Sequence, residues 1–302
     1  KGLASFRLPV VFTILLFGMM LGLQEQGVGQ VSLSIDFDTD GNWTGSGSLT
    51  SYSSGHVYAE SGWSFTGGPA LRNTTTITDG VAGALGTYSW RLQNNTTVTW
   101  TATYTNALSA VESFVSFGFD VRRWDGSPSP TFAVEYSVDG GSNWSTATSI
   151  GDNGVINNTG LGNSSNWVTV SQTVATESGL SANQFKVRIS ATSTTERIMI
   201  DNFTSQTITT PSVTTGSASS ITQTTATLAG NITSTGGADI TERGVFWSTT
   251  DGFADGAGTK VSEAGTFGTG AFTEDVTGLS AGTTYYFKAF ATNSAGTSYG
   301  SQ

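Results

Sequence analysis

Apolar residues along this chain fall at alternate positions in short runs, and clusters of Gly, Asn, Ser and Thr separate the runs. In ESFVSFGFDV, Phe117, Phe119 and Val121 alternate with Gly118 and Asp120, and in TFAVEYSV, Phe132, Val134, Tyr136 and Val138 alternate with their neighbours. A period of two gives each strand one face for a core and one for solvent. SLSIDFD, TYSWRL, TVTWTATY, NWVTVSQTV, QFKVRIS and RIMIDNF read the same way between Val31 and about Gln206. Such a set is buried by a two-sheet sandwich. TSQTITTPSVTTG then lacks large apolar residues and carries Pro211, which cannot donate to a strand ladder, so a linker is expected there. Beyond it, TATLAGNI, RGVFWST, TKVSEAG, AFTEDVTGL, YYFKAFATN and GTSYG supply strands for a second, smaller sandwich.

Composition agrees with an all-β chain of two domains: 302 residues, 39 of them Gly, with 11% charged residues. A formal net charge of -10 would repel phosphate backbones over most of the surface, so no nucleic-acid partner is expected. The chain has no Cys, which excludes disulfides, thiolate metal sites and a Cys nucleophile. Lys1 and Arg7 flank the start of an apolar run from Leu8 to Leu23, and small residues at Gly27 and Gly29 follow. The run is short for a membrane span and broken by Pro9, Gly18 and Gly22, so we read 1–29 as a signal peptide. The mature protein is then secreted or displayed on the cell surface, with no membrane span after cleavage. The chain lacks an initiating Met and its last strand, GTSYGSQ, stops at Gln302, so a longer parent is expected.

In LSAGTTYYFKAFATN, Leu279, Gly282 and Tyr285 mark a turn into a strand in which Phe287, Ala289 and Ala291 point inward until Asn293. With TERGVFWSTT, this pattern resembles the fibronectin type III-like modules of secreted bacterial multidomain proteins, over nearly all of 211–302. The resemblance implies an immunoglobulin-like sandwich, with the Tyr285 hydroxyl bonding back across its corner. The second strand carries no Trp, and Trp247 in the third is expected to fill the core instead. The first domain resembles the jelly-roll, carbohydrate-binding-module-like sandwiches that open large secreted proteins, with IDFDTDGNW as first strand and RIMIDNF as last. The expected fold is thus all-β: signal peptide 1–29, jelly-roll β-sandwich 30–206, linker 207–212, and a fibronectin type III-like sandwich 213–302.

Asp36, Asp38 and Asp40, followed by Gly41, match the front half of a calcium loop, in which alternate carboxylates and a tight turn converge hard oxygens on one ion. The back half fails, because Gly47 stands where a bidentate Glu is needed. In the jelly rolls that the first domain resembles, first and last strands lie side by side and often share a structural Ca2+. That implies Asp201, with Asn202 beside it, at the same place. The other reading is an acidic edge strand that keeps the protein soluble. SVDGGSNW resembles the Asp-box hairpin of sialidases, with Asp139 capping the turn and Trp144 covering it; a single copy predicts a hairpin and no activity. For a polysaccharide or cell-surface glycan we single out Trp124, flanked by Arg123 and Asp125 in the proline-stiffened VRRWDGSPSP, with Trp43 and Trp63 as lesser candidates. Trp90, Trp100, Trp144 and Trp167 lie in strand-like or hairpin runs and are read as core or covering residues.

Catalysis has little support. His56 is the only His, and no G-x-S-x-G turn is present. Glu60, Glu112, Glu135 and Glu196 are not clustered as a glycosidase on one strand would require. Expected is a non-catalytic region acting in adhesion or carbohydrate binding with a spacer module. The alternatives are the accessory front of a secreted hydrolase, and a structural segment of an adhesin or filament that self-associates through strand edges.

Overall fold

A computed structural model describes residues 31–45, 56–67, 70–72, 89–93, 99–123, 131–157, 166–191 and 197–302. The stretch read as a signal peptide lies outside them. Among the described residues, no helix is long and apolar enough to cross a membrane. The first part contains β1 (Val31–Ile35), β2 (Trp43–Gly45), β3 (His56–Glu60), β4 (Trp63–Gly67), β5 (Ala70–Arg72), β6 (Ser89–Gln93) and β7 (Thr99–Tyr104). It continues with β8 (Glu112–Arg123), β9 (Phe132–Ser137), β10 (Ser145–Thr146), β11 (Val155–Ile156), β12 (Val168–Ser178), β13 (Lys186–Ala191) and β14 (Arg197–Thr209). The second part contains β15 (Ser212–Thr215), β16 (Thr225–Ser234), β17 (Ile240–Ser248), β18 (Thr259–Phe267), β19 (Gly270–Thr277), β20 (Tyr286–Asn293) and β21 (Gly296–Tyr299).

The first part folds as two antiparallel sheets. One runs β12-β8-β14-β6-β5, with β1 also pairing β14; the other runs β10-β9-β13-β7-β4-β3-β2, with β11 pairing β9. The alternating residues of β8 behave as their pattern requires: Phe117, Phe119 and Val121 are buried in the core between the sheets. The core is aromatic. Phe114 stacks on Phe185 at 4.2 Å, and Trp63 meets Phe203 edge-on at 4.7 Å. Trp43 and Trp63 are buried members of this core, so neither offers a ring to a ligand. A bulge at Asn202 and Phe203 shifts the β14–β8 register between Asp201 and Thr204, and Asn202 has φ 44°. Of the segment 207–212, residues through Thr209 belong to β14, where Thr207 and Thr209 still pair with Phe114 and Glu112. Only Thr210 and Pro211 separate β14 from β15.

The second part packs a three-stranded sheet, β15-β16-β19, on a four-stranded one, β18-β17-β20-β21. Ala289 and Ala291 point inward with Ile232, Ile240 and Phe272, and Trp247 packs beside Leu228, Val245 and Val276. Gly230 is required here, because a Cβ would lie 2.4 Å from Phe272 Cζ and 2.7 Å from Ala289 Cβ. The Tyr285 hydroxyl accepts a hydrogen bond from Ser280 N at 3.0 Å, which closes the corner after the Leu279 turn. Phe246 and Phe290 point out of this sheet, yet they are buried with Phe253 beneath the loop 249–258. Lys288 ties that loop down by donating to Phe253 O (2.8 Å) and Asp255 Oδ1 (2.9 Å).

The two sandwiches are joined by hydrogen bonds as well as by the chain. Asn293, 4% exposed, donates through Nδ2 to Thr209 O (2.8 Å) and Thr235 O (2.7 Å), and its Oδ1 accepts from Ala295 N and Gly296 N. Thr209 N donates to Gly236 O and Thr210 N to Val111 O. Gly236 has φ +72°, and a Cβ there would stand 2.0 Å from Thr209 O.

Candidate functional site

The outer face of the six-stranded sheet carries two rows of side chains set by the ladder. Arg91 and Arg122 stand on either side of Met199, which lies outside the main core and packs with Trp167. Arg122 also places its guanidinium 5.6 Å from the Trp167 ring centre. Met199 is fully buried and both arginines nearly so, and burial pulls the Arg122 guanidinium below its usual pKa. The next row sets Asp201 opposite Asp120, with Ser89 and Thr169 at its ends.

Every carboxylate oxygen of that second row has a donor. Asp201 Oδ2 receives the Ser89 hydroxyl and Oδ1 the Asn202 amide at 2.7 Å. Asp120 Oδ1 receives the Thr169 hydroxyl, and Oδ2 the Asn202 side-chain amide at 2.8 Å. The bulge makes this possible, because the positive φ of Asn202 turns its side chain along the sheet instead of away from it. Burial raises the Asp201 pKa well above the usual carboxylate range; the Ser89 and Asn202 bonds oppose this, and the charges of Asp38 and Asp36 add to it. A carboxyl with a raised pKa beside a second carboxylate is an arrangement that acid–base hydrolysis uses. Asp201, however, is 0% exposed with both oxygens engaged, so it acts from within the sheet and cannot reach a substrate.

The acidic turn lies at the edge of this row. β1 pairs β14 with Ile35 opposite Phe203, which carries Asp36 and Asp38 toward Asp201. Asp36 Oδ1 accepts from Asp38 N at 3.1 Å, and Phe37 takes a φ of 59° to bury its ring in the core between them. The side chain of Asp40 lies outside the described residues. Among the described residues, no three His, Cys, Asp or Glu converge closely enough to hold a metal ion.

Of the residues singled out for glycan contact, Trp124 and Asp125 lie outside the described residues. Arg123 is described and turns inward: it stands opposite Ile198, is 5% exposed, and its Nε has no hydrogen-bond partner among the described residues. It therefore faces the core and not the surface where a sugar would lie. Its neighbour Arg122 takes the outer position, together with Arg91 and Trp167, which the sequence pattern did not single out for binding.

The Asp-box hairpin forms as a local cap. Asp139 Oδ1 accepts from Asn143 N (2.9 Å) and the Ser137 hydroxyl (2.7 Å), and Oδ2 accepts from Asn143 Nδ2 (2.7 Å). These bonds lower its pKa to about 2. Trp144 donates to Gly141 O at 3.0 Å and lies over the Arg188 guanidinium, 4.0 Å from the ring centre. With its face covered by Arg188, Trp144 is occupied within the fold.

No family model matches the chain, and no curated protein matches it. Among solved structures it is similar to the K3 cleaved adhesin domain of Lys-gingipain from Porphyromonas gingivalis w83, at 18% identity and TM-score 0.34, covering 59% of this chain and 99% of that one. It is also similar to the N-terminal CBM22-1-CBM22-2 tandem domain of Paenibacillus barcinonensis Xyn10C, at 12% identity and TM-score 0.34, covering 86% and 89%. The glycoside hydrolase domain of Endo-D from Streptococcus pneumoniae R6 is similar at 13% identity and TM-score 0.26, covering 78% and 37%. At these identities and scores the likenesses speak to neither the ligand nor the activity of this chain.

Proposed function

We propose that this chain is a non-catalytic region of a secreted or surface-displayed protein that binds carbohydrate. The binding face is the outer side of the six-stranded sheet, and the second, fibronectin type III-like sandwich is its spacer. The observation that carries this reading is the half-buried Trp167 near exposed Thr169 and half-buried Asp120 on that face, with the Arg122 guanidinium 5.6 Å from the Trp167 ring centre and Arg122 and Arg91 buried behind it. An aromatic edge beside a hydroxyl and a carboxylate is the chemistry that sugar hydroxyls and ring faces use. Trp124 follows directly after the end of β8 and belongs to the same proposal.

The test is retention on insoluble polysaccharides and binding to immobilised glycans by the full chain, compared with Trp167→Ala, Trp124→Ala and Trp144→Ala. The reading expects Trp167→Ala or Trp124→Ala to lower affinity about tenfold or more and Trp144→Ala to leave it unchanged. Equal retention by all four proteins, with folding intact, would remove the face from consideration. Calcium remains part of the proposal through Asp36, Asp38, Asp40 and Asp201, because a cation would offset the carboxylates gathered around a buried Asp. A melting temperature that falls with chelator and returns with Ca2+ supports it; an unchanged melt argues for the acidic edge instead.

A further inference from the structure

We infer that two copies of this chain associate through β18, which pairs antiparallel with β18 of the second copy about a two-fold axis at Ser262. β18 is an edge of its sheet, with β17 and β20 between it and β21. Seven of its nine residues are exposed, all but Val261 and Phe267. Which of its backbone groups are free follows from the ladder. Gly300 N donates to Ala289 O, so Ala289 and Ala291 turn their backbone groups toward β21, and Phe290 turns its own toward β17, where Gly244 pairs with it. Arg243, Val245 and Trp247 then face β18, paired with Glu263, Val261 and Thr259. In agreement, Val261 O points at β17, 2.2 Å from where a Cβ on Gly244 would stand. The N–H and C=O groups of Lys260, Ser262 and Ala264 therefore face outward, and no strand among the described residues lies beside them.

An open edge is ordinarily blocked by a charge, a proline or a bulge, and here each is displaced. Lys260 is drawn back to Glu242 at 2.6 Å and Glu263 to Arg243 at 2.6 Å, both on β17. No Pro lies in β18, and its one irregularity falls between Ala264 and Phe267. In the two-fold register the strand complements itself. Ser262 meets Ser262 and exchanges both hydrogen bonds, Lys260 of each copy meets Ala264 of the other, and the three rungs give about six hydrogen bonds. Side chains on one rung share a face, so Lys260 stands in a row with Ala264 and Glu242 of the second copy, about 10 Å from that Glu242 between Cα atoms and within reach of two long side chains. The two Lys260 residues lie four positions apart along the new ladder, farther than either lies from the other copy's Glu242. On the inner face Glu263 meets Val261, with its own Arg243 already beside it. No rung sets like charges opposite one another, and a second copy supplies this match along the whole straight part of the strand.

Sedimentation velocity of the full chain between about 1 µM and about 1 mM should show a monomer passing into a dimer. Backbone amide exchange across the same range should slow at Lys260, Ser262 and Ala264 and stay as it is at Val261 and Glu263, which β17 already holds. Ser262→Lys sets two like charges face to face on the axis without removing a backbone bond to β17, and it should weaken the dimer about fivefold or more. The chain has no Cys, so Ser262→Cys introduces a single thiol; on oxidation it should cross-link into a dimer far faster than Thr273→Cys, an exposed control on β19. A monomer throughout, a dimer whose exchange is unchanged at those three amides, equal strength in Ser262→Lys, or equal cross-linking by the two Cys variants would overturn the pairing.

Discussion

Replacing Asn293 by Ala tests the junction between the sandwiches most directly. The side chain is buried and makes four hydrogen bonds, two to the carbonyls of Thr209 and Thr235 and two from the amides of Ala295 and Gly296. A buried hydrogen bond contributes about 1 kcal/mol net, so the loss should be about 3 kcal/mol once water re-satisfies part of the Ala295 turn. For a domain of this size that is a fall of at least about 12 °C in its melting temperature. Calorimetry resolves it if the second sandwich melts separately. Otherwise 5-fluorotryptophan spectra serve, because Trp247 is the only Trp after residue 167 and reports this sandwich alone. Asn293→Asp should cost at least as much: it keeps the acceptor but sets a carboxylate against two carbonyl oxygens. A drop of less than about 1 kcal/mol, or a wild-type melt for the Asp variant, would refute the assignment.

Other outcomes follow from the same geometry. Gly236→Ala should destabilise by about 2 kcal/mol or more, since it combines a left-handed φ with a Cβ driven onto Thr209 O; urea denaturation measures it. Glu274 is held above its usual pKa by burial, with Glu263 and Asp275 adding to this and Arg243 opposing it. The folded state then keeps its proton longer than the unfolded chain, so this contribution is present at low pH and is lost as pH rises through the folded pKa. Glu274→Gln should therefore raise the melting temperature at neutral pH and not below pH 4, where both proteins should melt alike. Asp139 behaves oppositely, because its depressed pKa makes the hairpin cap stable above the usual Asp range and releases it as pH falls toward 2. Trp144 ring resonances should shift in that acid window, and Asp139→Ala should abolish the transition.

What was legible in the sequence was local. The alternation of Phe117, Phe119 and Val121 survives in β8 because one strand decides it, and the Asp139 cap and the Tyr285 corner close within a few residues of themselves. Short strands such as β2 to β5 escaped because three to five residues between turns leave little period to read. The outer row escaped for a different reason. Arg91, Arg122, Trp167 and Met199 come from four separate segments, and only the registers of β14 with β6 and β8 set them side by side. The alternation of Phe117, Phe119 and Val121, carried on through RR, puts Arg123 inward and Arg122 outward, and the pairing of Arg123 with the core residue Ile198 agrees. Phe290 likewise breaks the inward alternation of β20, and only the loop 249–258 folding over it makes an apolar residue sensible there.

The placement of β1 fixes how the first sandwich carries load. Val31 pairs with Thr207, two residues before β14 leaves for the second sandwich, so chain entry and chain exit sit at the same end of one ladder. Tension applied between the two ends of the sandwich does not shear that ladder; it peels it, one rung at a time, from Val31–Thr207 toward Ile35–Phe203. β14 stays anchored by β8 along its length while β1 lifts away. A pulled molecule would thus surrender its first strand at low force, loosening the acidic turn after Ile35 before the aromatic core between the sheets is disturbed.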